Sequence, residues 1–363
     1  MKITLKNTPE QVELVKAMAS RNRDVAYEAQ TALAEFIGPV LAEVINNAPA
    51  LSNLFTTLQY NADDNPSIPL DLYFDVADED YVQVFSQSRA GGLPTSEVLP
   101  TSAELKIATY SLDSAVSFDR RYAAKSRMDV VAKTMTRVAQ EILLKQNTIS
   151  ANVIMKALGA ASTNGFAHVL DSVATDRFTL ADLNKMMTLS KRIVTSFSGG
   201  TADTRQGRGI TDIIVSPEIV EELRSIAYNP INTVAAPGAA TNSNVRTADV
   251  IAEQAYNAAG APEFYGINVI ELNEFGDGQK FNTTFDNSYA GTFTPANDQI
   301  VVGIDRSREA LVRPVAVDSE NGGEFSLIAD DQYSIRQSKI GYFGSLEEGR
   351  VVLDNRALVG CIV

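Results

Sequence analysis

The feature that most limits the fold is a proline-free stretch, residues 126–158, in which Val131, Met135, Val138, Ile142, Ile149 and Val153 recur at helical spacing. Apolar residues three, four and seven apart lie on one face of a helix. Ser126 and Asp129 stand where a capping box opens such a helix, with Asp in place of the usual Glu. Gly159 stands where a helix closes. At 1.5 Å per residue the element would be roughly 50 Å long. It reads as a spanning strut on which other elements are hung.

The flanking sequence is unlike the strut. Residues 8–58 read as helical, opened by Thr8-Pro9-Glu10 and carrying an apolar repeat through Val12, Val15, Met18, Leu33, Ile37 and Leu41. Gly38-Pro39 is expected to kink or divide this helix, and Asn46-Asn47-Ala48-Pro49 to stop it. From Ile68 to Val76 apolar and polar residues alternate, and Leu105 to Phe118 resumes strand character. Residues 66–118 therefore read as a long antiparallel excursion with a glycine-containing tip at Arg89-Ala-Gly-Gly-Leu-Pro. An isolated hairpin of that length is marginal in water.

Beyond the strut, Thr179 and Asp182 open a helix that ends in Ser-Phe-Ser-Gly-Gly. Ile210 to Val215 reads as a buried strand, and Ser216-Pro217-Glu218 as a helix start. A short helical patch is read at 248–258, a strand at Ile267 to Leu272, and loop or loose hairpin over 273–298. Strands are expected at 300–304, 310–317, 332–343 and 350–363, the last tied down by its apolar run.

Composition removes much common chemistry. The chain has 363 residues, enough for two or three structural units, with one cysteine, Cys361, and one histidine, His168. One cysteine excludes an internal disulfide and a CxxC pair, and one histidine excludes an HExxH metal site. A Ser-His-Asp triad would need His168 itself, for which no motif supplies partners. Forty-five acids against 31 bases give a net charge of −14, which argues against dedicated nucleic-acid or anionic-membrane binding. No apolar run approaches the ~20 residues of a membrane span, and Met1-Lys-Ile-Thr-Leu-Lys reads as no signal peptide.

Four local clusters have a bland reading beside a sharper one. The glycine-rich loop 199–209 follows a helix and precedes a strand, the reverse of a phosphate cradle, so Arg205 and Arg208 read as contact residues on a flexible loop. Asp78-Glu79-Asp80 lacks the spacing and glycine of a calcium loop and reads as a solvated turn or an intersubunit partner. Arg120-Arg121, Lys125 and Arg127 form a dense basic group with one aromatic, Tyr122, too small for a nucleic-acid patch and suited to acids of a neighbour. Asn282-Thr-Thr matches a glycosylation sequon without a secretory context. A carboxylate-dependent hydrolase would need two converging acids, and the acids here are spread over turns and helix starts.

The order of elements resembles the HK97-type major capsid proteins of tailed bacteriophages. The residues that carry the resemblance are Tyr110-Ser-Leu-Asp-Ser-Ala-Val-Ser-Phe-Asp leading into Arg127-Met-Asp-Val-Val-Ala-Lys-Thr-Met-Thr-Arg-Val-Ala-Gln-Glu-Ile. Further on are Asp212-Ile-Ile-Val-Ser-Pro-Glu, Leu223, Tyr265-Gly-Ile-Asn-Val-Ile, Val302-Gly-Ile-Asp and Tyr333-Ser-Ile-Arg-Gln-Ser-Lys-Ile-Gly. The resemblance implies an α+β fold with an N-terminal arm (1–60), an extended E-loop (61–118), a P-domain with a spine helix (119–165), an A-domain (166–315) and closing strands that return to the P-domain (316–363). It implies a structural protein, not an enzyme and without cofactor or metal. Its partners are copies of itself in hexamers and pentamers, then portal, scaffold and cement proteins and packaged double-stranded DNA, with no membrane. The location implied is the virion, with assembly in the host cytoplasm. On this reading Asp78, Glu79, Asp80, Arg89, Arg120, Arg121, Arg127, Arg205 and Arg208 are contacts between subunits. The family's cross-link does not carry over: Lys106 lies in the excursion with no assignable partner. The alternative is an encapsulin-like bacterial compartment, the same fold around protein cargo.

Overall fold

The computed structural model describes residues 8–46, 51–61, 64–69, 104–163, 166–174, 176–194, 209–228, 263–264, 266–317, 324–330 and 338–363. They form helices and sheets in two compact units. In chain order the helices are α1 (Pro9–Met18), α2 (Arg23–Asn46), α3 (Arg120–Ala124), α4 (Met128–Gly159), α5 (Leu180–Val194), α6 (Pro217–Tyr228) and α7 (Lys280–Asp286). The strands longer than two residues are β1 (Thr56–Asn61), β2 (Ser67–Pro69), β3 (Glu104–Lys106), β4 (Thr109–Asp119), β5 (Val169–Asp171) and β6 (Asp212–Val215). They continue with β7 (Ile267–Glu271), β8 (Ile300–Ile304), β9 (Leu311–Val317), β10 (Ser326–Asp330), β11 (Lys339–Gly349) and β12 (Leu358–Ile362).

The first unit comprises the described parts of Met1–Ile68, Glu104–Ser150 and Val312–Val351. Its axis is the pairing of β4 with β11, antiparallel from Thr109↔Gly349 to Asp119↔Lys339. β10 pairs antiparallel along β11, and β9 joins it at Val315↔Glu348. β1 lies parallel to β9, from Thr56↔Val312 to Asn61↔Val317. The core beneath this sheet joins Leu33, Ile37, Leu41 and Ile45 of α2 to Val131, Met135, Val138 and Ile142 of α4 and to Phe118, Ile340 and Tyr342. Phe118 and Tyr342 stack at 6.4 Å between ring centroids.

The second unit comprises the described parts of Pro69–Ala103, Ala151–Leu311 and Val352–Val363. Its sheet runs β5-β12-β8-β6-β7, with the short strand Glu263–Phe264 beyond β7. β12 is parallel to β5 and β7 to β6, while β8 is antiparallel to both β12 and β6. β6, β8 and β12 are buried at every position, so apart from Asp212 at the start of β6 they read in sequence as continuous runs without charge. Leu183, Met186 and Ile193 of α5 and Ile219, Val220 and Leu223 of α6 share a core with Ile213, Val215 and Cys361.

Several sequence expectations meet different local physics. The N-terminal helical region does not divide at Gly38-Pro39: α2 runs through Pro39, and the break falls at residues 19–22. Pro39 lies on the exposed side, where water can take the carbonyl its missing N–H leaves open. Helix does not extend to residue 58, because Thr56–Asn61 is strand β1. Ser126 does not cap α4. It adopts a left-handed φ of 53°, its buried Oγ has no hydrogen-bond partner among the described residues, and the helix begins at Met128. The polar stretch 273–298 contains α7, whose Phe281 and Phe285 are buried. A strand at 326–330 was not expected. The described strand that meets the expected 332–343 run is β11, which begins at Lys339 and extends to Gly349. The helical patch read at 248–258 lies outside the described residues.

Other expectations are met. α4 spans 32 residues, about 48 Å at 1.5 Å per residue. Asp182 caps the start of α5 from one side, accepting at Oδ2 from Thr179 N at 2.9 Å and from Thr179 Oγ1 at 2.5 Å. Ser216 Oγ accepts from Ile219 N at 3.2 Å as the cap of α6. Val363 and Gln299 exchange backbone hydrogen bonds, which tie down the segment after β12.

Candidate functional site

The chemistry-bearing side chains of the first unit are gathered in a buried network. Glu348, on β11, has no solvent exposure and accepts from Arg313 Nε at 2.7 Å, Arg350 Nη2 at 3.0 Å, Gln146 Nε2 at 3.0 Å and Tyr110 Oη at 2.9 Å. Arg350 also donates to Ser150 Oγ and, at 3.0 Å, to Ser52 Oγ, and its guanidinium lies 5.3 Å from the centre of the Phe55 ring. Burial and the neighbouring Glu348 carboxylate push the Tyr110 phenol well above its ordinary range. The network ties α4, β4, β9 and β11 and the turn Leu51–Leu54 together. Every side chain in it bonds to protein, which makes it a cross-brace of the first unit.

In the second unit His168 is fully buried. Burial lowers its pKa, and backbone hydrogen bonds at Asn355 and Leu358 oppose that shift in part. It sits between Ala161, whose carbonyl accepts from His168 N, and Gly360, whose N–H donates to His168 O at 2.8 Å. Cys361 is buried in β12, and burial pushes its thiol up to about 12, far from nucleophilic. Asp354 accepts from Arg308 at 2.6 Å and Arg356 at 2.9 Å; burial alone would raise this carboxyl, but the two guanidinium groups and the Arg356 N–H hold it below its ordinary range. Among the described residues no group of three or more His, Cys, Asp or Glu side chains could hold a metal ion. Among the same residues no helix is long and apolar enough to cross a membrane.

The surface carries the other candidate. α2 is apolar on both sides. Ala29, Leu33, Ile37 and Leu41 face the core. Val25, Ala32, Phe36 and Val40 follow at spacings of seven, four and four on the outward stripe, and Phe36 is 55% exposed. Glu28, Glu35 and Glu43 are exposed along the same helix. Ile328 on β10 and Phe343 on β11 are exposed large apolar residues of the same unit. At the end of the sheet path, β1 presents Leu58 outward among polar neighbours. Among the described residues this outward stripe of α2 is the candidate contact face.

Of the residues expected to contact neighbours, Asp78, Glu79, Asp80, Arg89, Arg205 and Arg208 lie outside the described residues. Arg120 is half-buried and serves its own chain: Nε and Nη2 donate to Ala19 O at 3.1 and 2.9 Å, closing the end of α1. Arg121 is exposed, with Asp119 4.0 Å away, and Arg127 is exposed at the turn into α4. The outward stripe of α2 was hidden because its apolar residues merge with the inward ones in a plain helical repeat.

No family model matches this sequence, and no curated protein matches it. Solved structures do. The capsid of an empty GTA particle is 12% identical, with 86% of this chain and 88% of that chain covered and a TM-score of 0.51. Microbacterium phage Oxtober96 is 13% identical, with 88% and 91% covered and a TM-score of 0.48. The SrpI encapsulin complex from Synechococcus elongatus is 12% identical, with 86% and 85% covered and a TM-score of 0.45. The chain has the HK97-like α+β fold of the GTA particle capsid.

Proposed function

We propose that this chain is a self-assembling shell subunit, forming hexamers and pentamers of an icosahedral phage head around double-stranded DNA. The observation that carries the reading is α2 of an HK97-like fold, apolar on the core side and apolar again on the side facing solvent. A single chain cannot bury both faces, whereas copies laid against one another can. Fold alone does not fix function, so the reading rests on this surface beside the fold. Portal, scaffold and cement proteins are the further partners it implies. An acidic wall suits a packaged genome, because few lysines and arginines would hold phosphates to it.

The test is assembly of the full chain, followed by light scattering and negative-stain microscopy. Closed, uniform shells are expected. Deleting residues 78–100, the middle of the segment read as an excursion, is expected to abolish shells while circular dichroism retains the helical signal. A monomer at every concentration would overturn the reading. The encapsulin-like alternative shares the fold, and the contents of native particles separate the two: nuclease-protected DNA for a head, a co-purifying protein without DNA for a compartment.

A further inference from the structure

Two exposed helix faces of the first unit carry opposite charge. Beyond Arg23, α2 holds Asp24, Glu28, Glu35 and Glu43, all exposed, and no Lys or Arg. Glu28 and Glu35, seven residues apart, lie beside the outward stripe of Val25, Phe36 and Val40. The other face belongs to α4. Lys133, Arg137, Gln140 and Leu144 follow at spacings of four, three and four, so they share one stripe, and all four are exposed. Val131, Met135, Val138 and Ile142 take the core side of the same helix. Lys125 and Arg127 are exposed just ahead of it, and Asp129 is the one exposed acid between Lys125 and Arg137. In a chain where 45 acids outnumber 31 bases, that is a local reversal of sign. The stripe is not wholly polar, since Leu144 is 52% exposed. Among the described residues none of Glu28, Glu35, Lys133 and Arg137 has an ion-pair partner.

We propose that the outward face of α2 docks on the exposed stripe of α4 in a second copy of this chain. The inference rests on the assembly reading and names the two faces that meet. If α2 met its own copy about a twofold axis, glutamates would stand against glutamates, and α4 against its copy would set cations against cations. The crossed arrangement pairs Glu28 and Glu35 with Lys133 and Arg137, and it gives Phe36 and Val40 an apolar partner in Leu144. A contact between two different faces of one chain is heterologous, and heterologous contacts that close make rings, which hexamers and pentamers require. Charges at the edge of a contact decide which faces meet more than how tightly they hold, so the affinity stays with the apolar side chains.

The test compares full-length variants at one salt concentration, with circular dichroism for folding and light scattering and negative-stain microscopy for assembly. Each Glu→Lys replacement removes two negative charges, so Glu28→Lys/Glu35→Lys takes the net charge from −14 to −10. On net charge alone that variant would assemble more readily. The proposed contact gives the opposite result, a critical concentration raised about tenfold, because lysines then meet Lys133 and Arg137. Lys133→Glu/Arg137→Glu is expected to fail likewise. The fourfold variant reverses both faces, returns the net charge to −14 and is expected to recover shells. Should Glu28→Lys/Glu35→Lys not fold, Glu28→Gln/Glu35→Gln carries the same expected direction. Recovery in the fourfold variant supports the contact. Glu28→Lys/Glu35→Lys assembling as readily as the unaltered chain overturns it, as does a folded fourfold variant that stays unassembled. An unaltered chain that forms no shells overturns the assembly reading itself, and this contact with it.

Discussion

At Glu348 one fully buried carboxylate answers two guanidinium groups. A buried ion pair contributes little against a well-packed apolar substitute, yet removing one partner leaves the other charge stranded. Glu348→Ala strands Arg313 and Arg350 together and is expected to destabilise the first unit by about 3–5 kcal/mol. Glu348→Gln, which keeps the shape and two acceptor sites, should cost less, and chemical denaturation of both variants measures the difference. His168 gives the second unit a pH dependence. Its folded pKa is depressed, so on acidification the unfolded chain takes the proton first. Stability is therefore complete above the unfolded value of about 6.5 and falls below it, by at most about 1.4 kcal/mol per pH unit, until the folded pKa is reached. His168→Gln should flatten the midpoint of denaturation between pH 6.5 and 5 relative to the unaltered protein. That Cys361 is buried was legible from its apolar neighbours in Val-Gly-Cys-Ile-Val. That Glu348 gathers Tyr110, Gln146, Arg313 and Arg350 was not, because those residues span some 240 positions and only the fold brings them together.

Among the elements, α4 was legible because its periodicity persists over nine turns, and α5 and α6 because their caps are spelled in sequence at Thr179 and Ser216. β1 was not, because it is a short, mostly exposed strand whose place is set by parallel pairing with β9, some 255 residues away. The ends of α4 show how one residue type can serve two purposes. Gly159 reads as a stop signal, but it is the last residue of the helix, and a Cβ there would meet the Ser288 carbonyl carbon and oxygen at 2.9 Å. Backbone cannot yield as a flexible side chain does, so Gly159→Ala is expected to destabilise the second unit by about 1–3 kcal/mol, read as a lower melting temperature. Ser126 works in the opposite direction. Its left-handed φ of 53° penalises any Cβ, and its buried hydroxyl has no partner among the described residues, so Ser126→Gly is expected to raise stability by up to about 1 kcal/mol in the same measurement.

For the molecule as a whole, two terms compete in the proposed assembly when copies meet. The apolar stripe of α2 favours contact, since each fully buried large side chain contributes about 1.5–3 kcal/mol. The charge of −14 on every copy opposes it. Screening lengths shrink from about 10 Å at 0.1 M salt to 3 Å at 1 M, so added sodium chloride weakens the repulsion and leaves the apolar term intact. The critical concentration for assembly is therefore expected to fall as salt rises, and light scattering across a salt series measures it. Phe36→Ser with Val40→Ser removes the attractive term without touching the core, because both side chains are exposed in the single chain. That variant should melt within a few degrees of the unaltered protein, yet need at least tenfold more protein to assemble at each salt concentration. Equal critical concentrations would place the driving contacts elsewhere than α2. A variant that assembles poorly at low salt and normally at high salt would show charge, and not the α2 stripe, to be the controlling term.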